Sequence, residues 1–170
     1  MPGLVAVVGG KHSGKTTLIE HLIDELKSRG HRVGTIKEMV RIQTLDTPDT
    51  ETDRYTKAGA EVNVAVPREE TVIFIKKRLT LPEVLSYFAG IDFVILEGFE
   101  NNTTLPKIIT AKTADETKPY LDSSAIAVSG LLVGSGEETN KAKAFHLPLL
   151  SSLTQAKGLA DLVEQKAAWA

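Results

Sequence analysis

The sequence predicts an α/β fold of three layers, in which helices flank a mostly parallel sheet and a β-hairpin extends from it. Short apolar segments such as residues 4–8 and 93–96 do not alternate with polar residues, which is typical of strands buried on both faces. Segments with apolar residues at helical spacing lie between such strands. A length of 170 residues suits a single domain.

The first third of the chain predicts a βαβ unit. A strand over residues 4–8 runs into Gly9 and Gly10. Apolar residues then recur on one helical stripe over residues 17–29, and Gly30 fits the left-handed position that ends many helices. A second strand is predicted over residues 31–37.

The middle of the chain predicts a loop and a hairpin. Residues 38–57 are rich in Asp, Glu and Thr without a clear period, so we expect a long loop with a helical turn at residues 53–57. Residues 61–66 and 71–75 are strand-like on either side of Pro67-Arg68. This hairpin would lie at a sheet edge or in a dimer contact.

The second half of the chain alternates again between helices and strands. Thr80-Leu81-Pro82-Glu83 has the pattern of a capping box and predicts a short helix. Strands are expected over residues 93–96, 106–110 and 124–133. A second capping box at residues 152–155 predicts the start of the last helix.

Composition excludes several classes of protein. With 20 basic and 22 acidic residues the net charge is −2, which argues against binding to nucleic acid or to an anionic membrane. The chain has no cysteine, so disulfide scaffolds, thiolate metal sites and cysteine nucleophiles are excluded. The apolar runs are far shorter than the ~18 residues of a membrane span. Without a secretory signal pattern at residue 1, a cytoplasmic location is expected.

Residues 9–16, Gly-Gly-Lys-His-Ser-Gly-Lys-Thr, match the phosphate-loop motif G-x-x-x-x-G-K-[ST]. Glycines let backbone N–H groups converge on a phosphate, and the following helix presents its positive end. Lys15 would contact the β- and γ-phosphates, and the Thr16 hydroxyl would bind Mg²⁺. The motif predicts a P-loop NTPase fold, with a single nucleotide-binding domain over residues 1–170. The predicted phosphate-binding residues are Gly9, Gly10, Lys11, His12, Ser13, Gly14, Lys15, Thr16 and Thr17.

Two alternatives stay open at this loop. The motif could be a glycine-rich turn that binds nothing, although its position between a buried strand and an amphipathic helix favours phosphate binding. Lys11 and His12 could be solvated loop residues.

Further candidates lie at strand ends and in the acidic loop. Glu97 closes an apolar strand and would hold Mg²⁺ through water or polarise a water, because parallel strands end at one edge of the sheet. Lys37, at the end of the second strand, is a candidate contact for phosphate or for the transition state. Asp46, Asp49 and Asp53 could orient water or hold Mg²⁺ indirectly, and each could equally be a solvated loop residue.

Several of these segments together resemble the molybdopterin-guanine dinucleotide biosynthesis protein B (MobB) family. They are Gly-Lys-His-Ser-Gly-Lys-Thr-Thr at 10–17, Thr-Ile-Lys at 35–37, Asp-Thr-Pro-Asp-Thr-Glu-Thr-Asp-Arg-Tyr at 46–55, Ala-Gly-Ala at 58–60, Ile-Leu-Glu-Gly-Phe at 95–99 and Pro-Lys-Ile at 106–108. The resemblance covers residues 4–110 and is weaker beyond them.

The resemblance implies a GTP-binding accessory protein with weak GTPase activity that supports guanylylation of molybdopterin. Its implied cofactors are GTP and Mg²⁺, and its implied partners are a molybdenum cofactor guanylyltransferase, molybdopterin and a second copy of the chain. By position, Glu97, Asp53 and Lys37 would be the catalytic residues. Thr16, Asp53 and Glu97 would lie at the metal, and Lys107 would belong to the surroundings of the site.

The sequence departs from the family pattern at two places. Glu38-Met39-Val40 stand where the family often has histidines. The guanine-binding signature N-K-x-D is missing, since Asn140-Lys141-Ala142-Lys143 ends in lysine. Guanine selectivity is therefore implied by the resemblance alone.

Two other functions are compatible with a phosphate loop. A small-molecule phosphotransferase would need a basic lid, for which residues 76–78 are the only dense basic stretch. A nickel-inserting GTPase would need a metal-binding tract, whereas the four histidines are scattered and cysteine is missing.

Overall fold

The structure is a computed structural model that describes residues 1–40 and 44–169. The chain divides into two compact units, the first formed by Met1–Glu38 and Phe88–Ala170 and the second by Met39–Tyr87. The single domain over residues 1–170 stays a prediction beside this division.

The regular elements are strands and α-helices of 2 to 14 residues. The strands are β1 Gly3–Gly9, β2 Val33–Lys37, β3 Val62–Ala65, β4 Val72–Ile75, β5 Phe93–Glu97, β6 Lys107–Thr110, β7 Ala125–Ser129 and β8 Ala168–Trp169. The helices are α1 Lys15–Ser28, α2 Glu51–Lys57, α3 Leu81–Leu85, α4 Ala114–Thr117, α5 Gly136–Ala142 and α6 Ala156–Lys166.

The first unit is built on a parallel sheet with the order β2-β5-β1-β6-β7. Strand β8 adds one short antiparallel pairing, to Gly3 and Leu4 of β1. Lys37 of β2 pairs with Glu97 of β5, which pairs in turn with Val7 of β1. The predicted α/β fold with a mostly parallel sheet is confirmed, and the register brings the carboxyl ends of β1, β2 and β5 to one edge.

Both faces of this sheet are buried. Val5 and Val7 of β1 and Ile95 of β5 pack against Leu18 and other apolar residues of α1 and α6. The alternate positions, including Val8 and Leu96, are also without exposed surface. Burial on both sides explains why these strands do not alternate between polar and apolar residues in the sequence.

Charged side chains join α1 to α6 beside this core. The Arg29 guanidinium donates to Glu25, Asp161 and Glu164 at 2.7–2.9 Å. The bond to Asp161, which is the largest effect, and those to the two glutamates raise the pKa of Arg29 despite its partial desolvation. Since α1 follows the phosphate loop directly, this packing holds the helix on which the loop depends. No helix among the described residues is long and apolar enough to cross a membrane.

The second unit contains α2, α3 and the predicted hairpin. β3 and β4 pair antiparallel, with Val64 opposite Ile73. The Asn63 side chain points to the other face, where its amide donates to the Thr56 hydroxyl of α2 at 2.7 Å. The hairpin is therefore covered by α2 on one face.

Some predicted boundaries were wrong. α2 begins at Glu51 because the Thr50 hydroxyl caps it, so the helical turn starts two residues before the predicted position. Strand β7 ends at Ser129 and not at residue 133, because Gly130 takes a φ of +86°. The capping box at 152–155 does not form, because α6 begins only at Ala156. The Thr80 box is confirmed, since Glu83 accepts from the Thr80 N–H at 2.7 Å.

Candidate nucleotide-binding site

The loop between β1 and α1 has the backbone conformation that its glycines predict. Gly9 has a φ of +143° and Gly14 a φ of +103°. A Cβ on Gly9 would lie 2.0 Å from the Thr110 carbonyl oxygen, whereas a Cβ on Gly10 would meet nothing within 4 Å. Gly9 is therefore required for the close approach to β6, while the open surroundings of Gly10 leave its backbone accessible to a ligand.

The Lys15 side chain is hydrogen-bonded to the backbone of the loop itself. Its Nζ donates to the carbonyl oxygens of Gly9, at 2.8 Å, and Gly10, at 2.7 Å. The ammonium group thus lies at the mouth of the loop, where the motif places the phosphates.

The amino end of α1 is open to an anion. Gly14 is the N-cap and provides no side-chain cap, and the first turn contains no acidic residue. Thr16 and Thr17, in that first turn, are exposed. The unpaired N–H groups and the positive end of a 14-residue helix therefore face the same region as Lys15.

Buried hydroxyl groups fix the loop to the sheet. Ser13 has no exposed surface, and its Oγ lies 2.6 Å from the Thr110 hydroxyl and donates to the Gly10 carbonyl at 2.9 Å. The Ser13 carbonyl accepts from the Leu131 N–H at 3.3 Å. Of the predicted binding residues, Ser13 is therefore a support of the loop, while Lys11 and His12 are exposed loop residues.

Glu97 and Lys37 meet at the same edge of the sheet. The Lys37 Nζ lies 3.1 Å from Glu97 Oε1, and the glutamate is the more buried partner. Glu97 continues the alternate positions of Phe93 and Ile95, which pack against α1, so it lies on the face of the sheet that α1 covers. Helix α1, with Thr16 in its first turn, packs on this face.

A short turn follows Glu97. The Gly98 N–H donates to the Val7 carbonyl at 3.1 Å, and the Phe99 N–H donates to Glu38 Oε2 at 3.1 Å. Gly98 and Phe99 both have a positive φ, of +95° and +59°.

The remaining predicted residues make other contacts. Asp53 belongs to the second unit, where Lys57 lies 2.7 Å from its carboxylate and the Asp49 N–H donates to it at 2.8 Å. The Lys57 contact, followed by the Asp49 bond, lowers the pKa of Asp53. Asp46 accepts from the Thr50 and Thr52 hydroxyls.

Lys107 does not reach the phosphate loop. It pairs with Ala6, three residues before Gly9, which places it roughly 10 Å back along the strand. Its buried Nζ lies 2.6 Å from Asp122. Lys107 therefore forms an ion pair with Asp122, and its expected place around the site stays a prediction.

The residues at the sheet edge fit a nucleoside triphosphate with Mg²⁺. Mg²⁺ in such sites takes few protein ligands besides phosphate oxygens and water, so the Thr16 hydroxyl and one carboxylate suffice. No group of three or more His, Cys, Asp or Glu side chains that could hold a metal ion occurs among the described residues. In the basic stretch 76–78, which is the segment considered for a phosphotransferase lid, the Lys77 Nζ lies 3.0 Å from Glu83 Oε1.

A family model described as molybdopterin guanine dinucleotide synthesis protein B, MobB, matches residues 4–130. The chain belongs to the MobB family. This match extends beyond the residues on which the sequence resemblance was based and includes β7 and Gly130.

Relatives support the same assignment. A relative from Methanocaldococcus jannaschii is 35% identical over 130 residues, which are 74% of this chain and 54% of the relative, so the chain spans about half of that protein. A Haemophilus influenzae protein, named molybdopterin-guanine dinucleotide biosynthesis adapter protein, is 31% identical over 134 residues, which are 74% of this chain and 73% of the relative.

Solved structures share the fold. MobB of Bacillus subtilis has a TM-score of 0.75 at 23% identity, with 99% of both chains covered. A MobB homologue from Bacillus stearothermophilus has a TM-score of 0.66 at 22% identity and covers 95% of this chain and 98% of its own.

Sequence reasoning missed two residues beside the site. Glu38, noted only as a departure from the family pattern, holds the turn after Glu97. Gly130 packs against the phosphate loop, since a Cβ there would lie 2.3 Å from the Ser13 carbonyl. A lone glycine at the end of a strand is only a weak sequence signal for such a contact. The Glu38 contact has no signal in the sequence.

Proposed function

We propose that this chain is a GTP-binding adapter of molybdenum cofactor biosynthesis. It binds GTP with Mg²⁺ and supports a guanylyltransferase that converts molybdopterin to molybdopterin guanine dinucleotide in the cytoplasm. The observation that carries the proposal is the convergence of the Lys15 ammonium and the uncapped end of α1 at one loop. Membership in the MobB family supports the biosynthetic role, and molybdopterin would be a second ligand.

The residues at the loop have different roles in binding. Lys15 exchanges its carbonyl partners for phosphate oxygens, and backbone N–H groups of Gly10 to Thr17 donate to the phosphates. Thr16 and Glu97 would hold Mg²⁺, with Asp53 as a further candidate, and its positive charge would balance that of the phosphates. Lys37 balances the charge of Glu97 and is free to turn toward a phosphate, because its side chain is 56% exposed.

Hydrolysis by this site is slow in our proposal. Glu97, Asp53 and Lys37 are the candidate catalytic residues, and the sequence offers few other catalytic groups beyond the phosphate loop. Turnover in the range of unassisted GTPases, about 10⁻⁴–10⁻² s⁻¹, is therefore expected. Such a rate suits a protein that delivers or holds nucleotide for a partner enzyme.

The decisive experiment is a thermal-shift and calorimetric comparison of GTP, GDP and ATP, each with and without Mg²⁺. GTP at a hundred times its Kd should add about 2.7 kcal/mol of stability. Lys15→Ala should weaken binding about 10–100-fold, because charge-assisted bonds to phosphate are lost. Lys27→Ala, an exposed lysine at the far end of α1, is the matched control and should bind normally. Unchanged affinity of Lys15→Ala would refute the site.

Glu97→Gln separates metal binding from phosphate binding. The amide keeps the size of the side chain but loses the charge that attracts Mg²⁺. We expect GDP affinity without Mg²⁺ to stay within twofold, while the Mg²⁺ concentration for half-maximal GTP binding rises about tenfold. Calorimetric titration of Mg²⁺ at fixed GTP measures this concentration. An unaltered Mg²⁺ requirement would remove Glu97 from the metal site.

A further inference from the structure

Glu38 contacts the strand end that carries Glu97 at two points. Its backbone N–H donates to the Glu97 carbonyl at 2.9 Å, and its carboxylate Oε2 accepts from the Phe99 N–H at 3.1 Å. Its Cβ lies so close to Gly98 that a Cβ added there would be 3.2 Å away. Glu38 thus contacts the backbone on both sides of Gly98.

We propose that Glu38 is a positioning residue for Glu97. The inference rests on the proposed function, in which Glu97 serves the metal. Because the Gly98 N–H is bound to Val7, the two bonds from Glu38 complete a set of three that holds the backbone from Glu97 to Phe99. With the backbone fixed, the Cα–Cβ bond of Glu97 has one direction.

The turn requires such a restraint because of its backbone conformation. Phe99 has a φ of +59°, a region that side chains other than glycine, asparagine and aspartate seldom occupy. Such a conformation persists where neighbouring groups hold it. The hydrogen bond from the Phe99 N–H to the Glu38 side chain is a restraint of this kind.

Lys37 and Glu38 act on Glu97 in different ways. Lys37 contacts the carboxylate of Glu97 itself and is 3.1 Å from it. The two bonds of Glu38 to this strand end are made with its backbone, so they act on the direction of the Glu97 side chain. Positioning through an acceptor therefore predicts that an uncharged acceptor of the same length replaces Glu38.

The test compares Glu38→Ala, which removes the acceptor, with Glu38→Gln, which keeps one. Glu100→Gln is the matched control, because it removes a nearby exposed carboxylate that accepts no hydrogen bond from the turn. Two quantities are measured: hydrogen exchange of the Phe99 amide in the nucleotide-free protein, and the Mg²⁺ concentration for half-maximal GTP binding.

In Glu38→Ala, exchange of the Phe99 amide should accelerate about 2–10-fold, as expected for one lost hydrogen bond. The Mg²⁺ requirement should rise about fivefold, while GDP affinity without Mg²⁺ stays within twofold. Glu38→Gln and Glu100→Gln should match the parent within twofold in both quantities. If Glu38→Ala does not fold, Glu38→Asp replaces it, because the shorter side chain cannot span to the Phe99 N–H.

Two results would overturn the proposal. One is an unchanged Phe99 exchange rate and Mg²⁺ requirement in Glu38→Ala. The other is a loss in Glu38→Gln as large as in Glu38→Ala, because Glu38 would then act through its charge. A parent protein that binds no nucleotide refutes the proposed function instead, and the exchange measurement still decides whether Glu38 holds the turn.

Discussion

Lys107 is the one charged residue of the described part of the chain with a buried side chain, and Asp122 is its partner at 2.6 Å. Burial raises the pKa of Asp122, but the bonds from Lys107 and Ser124 outweigh it, so the pKa lies below its ordinary value. Lysine is rarely fully buried without such a partner. The pair therefore matters more to the folded state than to the nucleotide site.

Asp122→Ala should lower the free energy of unfolding by about 3 kcal/mol, because it leaves a buried ammonium unpaired. Lys107→Met removes the buried charge, so no partner is needed, and it should lower the free energy of unfolding by less. Urea unfolding at pH 7 measures both changes. A smaller loss in Asp122→Ala than in Lys107→Met would contradict the ion pair as described.

This pair also predicts a pH dependence. Since the folded pKa of Asp122 is lowered, its stabilisation is complete above the unfolded pKa of about 3.9 and disappears as the pH falls through the folded value. In urea unfolding between pH 2 and pH 6, Asp122→Asn should therefore lose less stability on acidification than the parent. Equal slopes would show that other carboxylates account for the acid sensitivity.

Single residues differ in how far the sequence reveals their roles. Lys15, Glu97 and Lys37 could be predicted, because a motif and the rule of common strand ends place them at one edge. The Glu38 contact could not, since it depends on the positive φ of Phe99. The ion pair of Lys107 with Asp122 could not be predicted either, because resemblance carries a position along the chain but not the register of β6 against β1.

At the scale of elements, the turn that ends β7 supports the phosphate loop. Gly130 has a φ of +86°, and a Cβ there would lie 2.3 Å from the Ser13 carbonyl and 3.0 Å from the Ala111 backbone. Leu131 then donates its N–H to Ser13. The end of β7 and the phosphate loop are therefore in direct backbone contact.

Gly130→Ala should be far more harmful than Gly30→Ala, although both glycines have a positive φ. Gly30, at the end of α1, has no atom within 4 Å of an added Cβ, so only the backbone strain of about 1–2 kcal/mol applies. At Gly130 the steric clash adds to this strain and displaces Ser13. We expect Gly130→Ala to lose nucleotide affinity as well as thermal stability, and Gly30→Ala to lose stability alone. Similar affinities in the two variants would contradict the support role.

Element prediction succeeded where burial dominates and failed where local hydrogen bonds decide. The strands β1 and β5 could be predicted because both faces are apolar. The apolar run alone misplaces the end of β7, because Leu131 and Leu132 continue it beyond Gly130. The supposed box at 152–155 failed because the Ser152 carbonyl is bound to the His21 ring at 2.9 Å and Gln155 Oε1 accepts from the Ser151 N–H.

At the scale of the whole molecule, the hairpin has an apolar face that the chain leaves open. Val62 and Val64 are each 54% exposed and Ile73 is 43% exposed, and the register places them on one face. A two-stranded sheet is marginal in water without cover on an apolar face. In the homodimer that the family resemblance implies, a second copy of the chain would be the occupant of this face.

Val64→Lys should therefore shift the protein from dimer to monomer, because two lysines would have to be buried per contact. Leu153→Lys, at an apolar residue that is 72% exposed in the first unit, is the control and should stay dimeric. Sedimentation equilibrium at several concentrations measures the change. Dimerisation of Val64→Lys with the affinity of the parent would place the contact elsewhere.

Lys15 carries a consequence for the energetics of binding. Its ammonium group is already engaged with the Gly9 and Gly10 carbonyls in the free protein. A phosphate bound here, as proposed, would therefore enter by ligand exchange, in which two neutral carbonyl partners of the ammonium are replaced by an anion. The contribution of Lys15 to the affinity would then be the difference between carbonyl and phosphate oxygens around the same nitrogen.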